Sequence, residues 1–191
     1  MPGAPDQPAR VLVVCTANIC RSPAAERLLR AGLDDSVQLS SAGVAALVGG
    51  PIDPPVASFL RAQHAEVAGF AARQVNETML REAELVLTLT RAHRAQVLEW
   101  VPSAVRRAFT LLEFVRVLES VVLTGLPSGP AAARLRAILP MATGGRALAP
   151  RPEPGGDDVP DPFGRGPADY QHSLAAIQRA TDTIIRVIGE Q

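Results

Sequence analysis

Residues 11–27 read VLVVCTANICRSPAAER and gather Cys15, Cys20 and Arg21 around one short polar loop. Two thiols at this spacing could form a metal half-site, a redox pair, or a nucleophile with a neighbour. The arginine adds a more pointed option. A guanidinium is a planar, two-pronged donor for a tetrahedral oxyanion, and a thiolate beneath it could attack that anion's centre. Far down the chain, VPDPFGR sets Asp161 between Pro160 and Pro162, which restrict the backbone on either side, and on its own this dipeptide reads as a turn.

Stepping outward, the loop has a recognisable address. Val11–Val14 is a fully apolar run suited to a buried strand, and AAERLLRAGL beyond the loop carries a helical period. Ser22 is the expected N-cap, with Pro23 in the first helical position. Between strand and helix, unpaired N–H groups and the positive end of the helix dipole converge on an anion site, and their field favours a thiolate at Cys15.

Strand and helix signals alternate beyond this point. Strands are expected at Val37–Ser41, Leu85–Leu89 and Ala108–Leu111. Helices are expected at Pro54–Gln63, Arg91–Trp100, Leu112–Leu123 and Ala168–Ile188. The pattern predicts an α/β fold: a four-stranded parallel sheet flanked by helices, with a phosphate-binding loop between the first strand and the first helix. Residues 125–167 hold 8 of the 15 Gly and 9 of the 17 Pro, so this segment reads mostly as loop, with a short helix at Ala131–Leu139. One domain over 1–191 is expected, carrying a loop-rich insertion at about 125–160.

Composition narrows the function classes. The 19 basic and 19 acidic residues cancel, so no global field draws the chain to nucleic acid or membrane. Every basic residue is Arg. Two cysteines so close together cannot build a disulfide scaffold, and a reducing cytoplasmic setting is expected. MPGAPDQPAR has no apolar leader segment and no apolar run is long enough to span a bilayer. His64, His93 and His172 show no ligand spacing, so no metal is expected and each is read as a surface residue.

The stretch Cys15-Thr16-Ala17-Asn18-Ile19-Cys20-Arg21-Ser22-Pro23 resembles the signature C-x-G-N-x-C-R-S-P of the low-molecular-weight protein tyrosine phosphatases. Ser41-Ala42-Gly43, Pro51-Ile52-Asp53, Ala72-Arg73-Gln74, Ala83–Leu89 and Asp161-Pro162 follow in that family's order. The resemblance implies a phosphomonoester hydrolase that uses neither metal nor organic cofactor. Cys15 would form a phosphocysteine, and Arg21 and the loop N–H groups of residues 16–20 would hold the phosphoryl oxygens. Asp161, in the Asp-Pro dipeptide where the family carries its acid, would be the general acid; Asp157 and Asp158 are rivals by proximity, but neither precedes a proline. Ser22 would donate to the thiolate, while Asn18 and Ser41 would keep the loop in shape. The implied substrate is a phosphorylated protein, with a cognate tyrosine kinase as possible partner, and the chain would be a monomer or weak dimer.

Four departures bear on these expectations. Ala17 stands where the family pattern has Gly, which matters if φ there is positive. Phe70 replaces a His that buttresses the loop Asn. Leu47 stands near an expected aromatic wall for the aryl ring, leaving Phe163 as the other wall. Ile19 matches tyrosine phosphatases, whereas related arginine phosphatases are expected to carry Thr. Arginine-phosphate hydrolysis and arsenate reduction with a small external thiol are the alternatives. Cys20 reads either as a small buried side chain or as a redox partner that protects Cys15.

Overall fold

The computed structural model describes residues 7–189. Residues 1–6, on which part of the leader-segment reading rests, lie outside that range. Four parallel strands, β1 (Ala9–Cys15), β2 (Val37–Gly43), β3 (Leu85–Thr88) and β4 (Ala108–Thr110), form one sheet in the order β2-β1-β3-β4. The helices are α1 (Arg21–Gly32), α2 (Pro54–Ala62), α3 (Glu77–Glu82), α4 (Arg91–Trp100), α5 (Leu111–Ser120), α6 (Ala131–Gly145) and α7 (Pro167–Gly189).

From Val11 to Cys15 strand β1 is buried on both faces, which is why that stretch is an uninterrupted apolar run; Arg10 near its start is exposed. Val11 and Val13 face the larger core, shared with Leu29 of α1, Phe114 of α5, Ile138 of α6 and Ile177 of α7. Leu12 and Val14 face a smaller one with Leu80 and Val97. The chain leaves β1 for β2 on one side and returns to β3 on the other. Such a reversal opens a crevice at the carboxyl ends of the strands, where open α/β sheets bind ligands. Cys15 is the last residue of β1 and opens into that crevice.

The segment read as loop contains a 15-residue helix, α6, that passes straight through Pro140. The proline removes a backbone donor, costing about 3 kcal/mol in a helix interior. Burial of Leu135, Ile138 and Ala142 on either side offsets that loss. Gly145 closes the helix against α5, where a Cβ would lie 2.0 Å from Val121 Cγ1. The helix start is held from afar. Pro130 offers no side-chain cap, and Ala131 and Ala132 donate instead to Asp34 Oδ2 and Ser36 Oγ, each at 2.9 Å, in the α1–β2 turn.

Strand β4 ends one residue earlier than expected because Thr110 and Glu113 form a capping box that starts α5 at Leu111. Ser22 is not the N-cap of α1. The helix begins at Arg21 with Cys20 at the cap position and no side-chain cap bond, so the Ser22 hydroxyl is released for the site. No described helix is long and apolar enough to cross a membrane.

Candidate active site

The loop between β1 and α1 turns its carbonyls outward. The carbonyls of Thr16, Ala17 and Ile19 accept from the N–H groups of Ala45, Leu47 and Asp53 at 3.0 Å each, all from one flanking segment. The backbone N–H groups of residues 17–20 have no protein acceptor among the described residues. They remain as donors on the inner side, beside the uncapped start of α1, where the helix dipole adds to their field. Gly43 makes this closeness possible. A Cβ there would lie 2.3 Å from Thr16 O, so the glycine of Ser41-Ala42-Gly43 is required by sterics.

Asn18 is the loop's internal brace. Its φ is 56°, a left-handed conformation that Asn tolerates better than most residues. It is fully buried, and its Nδ2 donates to Ser22 Oγ and Ser41 Oγ at 2.9 Å each while its Oδ1 accepts from Arg73 N at 2.9 Å. Ser41 Oγ donates in turn to Glu26, which is tied to Arg30. Asn18 is thus fully held without the expected histidine. Phe70 lies beneath the Arg27 guanidinium, 5.6 Å from ring centroid to Cζ. Positive φ falls on Asn18 and not on Ala17, so the alanine carries no backbone strain.

Cys15 is buried and free, with Sγ 3.0 Å from Ser22 Oγ. Because Ser22 Oγ already accepts from Asn18, its own proton is left to donate to the sulfur. Cys20 is also free and buried, its thiol pushed up by burial and by the nearby Asp53 carboxylate. It is therefore a protonated side chain in the loop wall, while Cys15 faces the site.

Arg21 is 4 % exposed, unusual for an arginine, and its guanidinium is held on three sides. Nη1 donates to Val159 O at 3.2 Å, and Nη2 donates to Thr16 Oγ1 at 3.3 Å and to Asp161 Oδ2. Its Nε is buried without a protein partner, a donor left for a ligand. Asp161 comes from the turn before α7 and is strapped in place, since Val159 N donates to Leu89 O at 2.8 Å at the end of β3. Its rivals are committed elsewhere. Asp157 pairs with Arg116 at 2.9 Å and Asp158 with Arg91 at 3.3 Å. Both pairs anchor the loop that presents Asp161.

Leu47 and Phe163 lie on the two flanking loops with side chains about half exposed, 53 % and 52 %. Val48 beside Leu47 is 71 % exposed. The rim is apolar on one loop and aromatic on the other.

The loop between β1 and α1 thus carries the Cys15 thiol, the free N–H groups of residues 17–20 and the Arg21 guanidinium, which binds Asp161. A family model described as low molecular weight phosphotyrosine protein phosphatase matches residues 10–122. The chain belongs to that family. Among low molecular weight protein-tyrosine-phosphatases, Wzb of Salmonella typhi is 41% identical over 93 residues, 49% of this chain and 62% of that protein. The alignment thus spans under two thirds of that relative's length. In structure, the YwlE arginine phosphatase from Geobacillus stearothermophilus superposes with a TM-score of 0.67 at 26% identity, covering 94% of this chain and 92% of that one. The low molecular weight protein tyrosine phosphatase from T. tengcongensis gives a TM-score of 0.67 at 26% identity over 93% and 98%. The matched family segment carries Cys15 to Ser22, Ser41 and Leu47, whereas Asp161 and Phe163 lie beyond it.

Two participants were not legible in the sequence. His93 is not a surface residue: it is 6 % exposed, with Nε2 2.9 Å from Thr16 Oγ1. Burial, and then the positive charge of Arg21, lower its pKa to about 4 and keep the ring neutral. His64 and His172 are exposed, as expected. The second is Tyr170 on α7, whose hydroxyl donates to Asp53 Oδ2 at 2.6 Å. Asp53 is also bound to the loop through its N–H to Ile19 O, so α7 and the phosphate loop share one tether. The His93-to-Thr16 separation of 77 residues and the Tyr170-to-Asp53 separation of 117 leave no spacing signal.

Proposed function

We propose that the protein hydrolyses phosphomonoesters, with protein phosphotyrosine as substrate, through a phosphocysteine on Cys15. The observation that carries this is the convergence of Cys15 Sγ, the Arg21 guanidinium and the Asp161 carboxyl group on one loop of inward N–H donors. The Cys15 thiolate attacks phosphorus as the P–O bond to the tyrosyl oxygen breaks. Asp161 delivers its proton to that oxygen, because a phenol of pKa about 10 departs poorly as an anion. The loop N–H groups, with Arg21, hold the equatorial oxygens as charge builds. In the second step Asp161 takes a proton from water, the new P–O bond forms and the P–S bond breaks. Inorganic phosphate leaves and the Cys15 thiolate is restored, stabilised by the Ser22 hydroxyl.

Ile19 in the loop and Phe163 beside Asp161 support tyrosyl phosphate over arginyl phosphate. The likeness to YwlE keeps phosphoarginine as the second reading. Phosphorylated proteins, and a tyrosine kinase that makes them, are the implied partners, in a reducing cytoplasm where Cys15 stays a thiol. The deciding experiment is a parallel assay of an aryl phosphate, phosphoarginine and arsenate with a small thiol, each after EDTA treatment. Turnover of the aryl phosphate alone supports the reading. Turnover confined to either of the others, or lost with EDTA, refutes it.

A further inference from the structure

Three acceptors, Val159 O, Thr16 Oγ1 and Asp161 Oδ2, fix the Arg21 guanidinium, and the position of the Thr16 hydroxyl itself needs explaining. Thr16 Oγ1 accepts from Arg21 Nη2 at 3.3 Å. A threonine can place its hydroxyl in more than one staggered rotamer unless that hydroxyl is held. Here it is held by His93 Nε2 at 2.9 Å. His93 reaches it from the first turn of α4, where its own N–H donates to the N-cap Thr90 Oγ1 at 3.2 Å. Helix α4 follows directly on β3, and β3 is registered against β1 over Val11–Val14. The ring is thus referenced to the sheet and not to the loop. The other two contacts, Arg21 Nη1 to Val159 O and Arg21 Nη2 to Asp161 Oδ2, come from the loop strapped to Leu89 at the same strand end.

We infer that His93 is a positioning residue for the phosphoryl-binding arginine, acting through the Thr16 hydroxyl. A neutral ring suits this task in either tautomer, since Thr16 can donate to Nε2 or accept from it while still accepting from Arg21. A charged ring so close to the guanidinium would repel it. The buried Nδ1 has no partner among the described residues, so the contact with Thr16 is the one polar bond the imidazole makes there. A histidine kept for packing alone would bury a polar ring at a cost that an apolar side chain avoids. Its retention at this spot fits a role in geometry.

The inference rests on the phosphatase reading, and a double-mutant cycle separates the two. Thr16→Val, His93→Leu and the double variant are compared with wild type for hydrolysis of para-nitrophenyl phosphate and for orthovanadate binding, which needs no turnover. Each single variant is expected to lose about tenfold in kcat/KM and in vanadate affinity, the scale of one hydrogen bond to a charged group. The double variant should be no worse than Thr16→Val, because that change already removes the hydroxyl through which His93 acts. His93→Gln, which can both donate and accept, should recover most of the loss. Thr16→Val leaves the buried ring in place, so the test survives even if His93→Leu fails to fold. Multiplicative losses, or wild-type vanadate affinity in Thr16→Val, would overturn the inference. A wild-type protein that binds vanadate but does not hydrolyse the ester would instead overturn the phosphatase reading.

Discussion

Arg21 and Asp161 lie 140 residues apart in the chain, and Arg21 Nη2 donates directly to Asp161 Oδ2. The proposed phosphate clamp and the proposed acid are therefore partners of each other before substrate arrives. Asp161 is 44 % exposed at its side chain and Arg21 5 %, so the carboxylate is the member open to solvent. A phosphoryl dianion offers the guanidinium more charge and more acceptors than one carboxylate does. On the proposed mechanism its entry would displace Asp161 from Arg21 and free the carboxyl group to face the leaving oxygen.

Asp161→Asn separates these roles. The variant cannot deliver a proton, so kcat for an aryl phosphate should fall by about 10²–10⁴. It also withdraws the charge that competes for Arg21, so inorganic phosphate should bind as tightly as in wild type or tighter. Stopped assays and calorimetric titration with phosphate check both halves.

Asn18→Ala should damage loop and fold together. It removes the donor that Ser41 and Ser22 accept from, leaves the Arg73 N–H without its acceptor and puts Ala at positive φ. The expected loss is on the order of 2–4 kcal/mol in urea unfolding, with kcat/KM reduced at least tenfold. Ala17→Gly should leave kcat/KM unchanged and cost about 0.4–1 kcal/mol of stability through the freer unfolded chain, because Ala17 is not at positive φ.

Asp34→Ala should lower stability by about 1 kcal/mol without altering kcat, since Asp34 caps α6 far from the loop. Asp34 is held below the usual carboxylate range, chiefly by the Ser36 hydroxyl and then by the Ala131 N–H. Its folded value being depressed, its contribution is present above the unfolded carboxylate value near 4. It is lost as pH falls through the lower folded value. The difference between variant and wild type in thermal melts should shrink accordingly below pH 4.

His93 gives a second pH signature. The groups facing it are Arg21, which opposes its protonation, and Asp161 and Asp158, which favour it less strongly. With a folded value of about 4 against 6.5 unfolded, the unfolded chain binds the extra proton first as pH falls. Stability should therefore drop between pH 6.5 and 4, by up to about 3 kcal/mol. His93→Gln should flatten that part of the urea-unfolding profile.

The opening loop was legible because its signal is local: an apolar strand, a polar turn and a helix within 17 residues carry Cys15, Asn18 and Arg21 together. The parallel sheet was legible for the same reason, each strand being a short apolar run between helical periods. What stayed hidden was set by distant partners. Helix α6 runs past Pro140 because neighbouring helices bury its apolar face, and it starts where Asp34 caps it, 97 residues away. His93 has the spacing of any helical polar residue, and only the fold turns it inward against Thr16. Ser22 looked like a helix cap because Ser before Pro usually is one. The structure spends that hydroxyl on Cys15 instead. Asp157 and Asp158 resembled rival acids, and their ion pairs make them supports for Asp161.

The central claim is that Cys15 carries the phosphoryl group. It is tested most directly by acid-quenching the protein during turnover of an aryl phosphate and mapping the modified peptide by mass spectrometry. The account predicts one added phosphoryl group on Cys15, more of it in Asp161→Asn, and none in Cys15→Ser. A phosphoryl group on another residue, or continued turnover by Cys15→Ser, would contradict it.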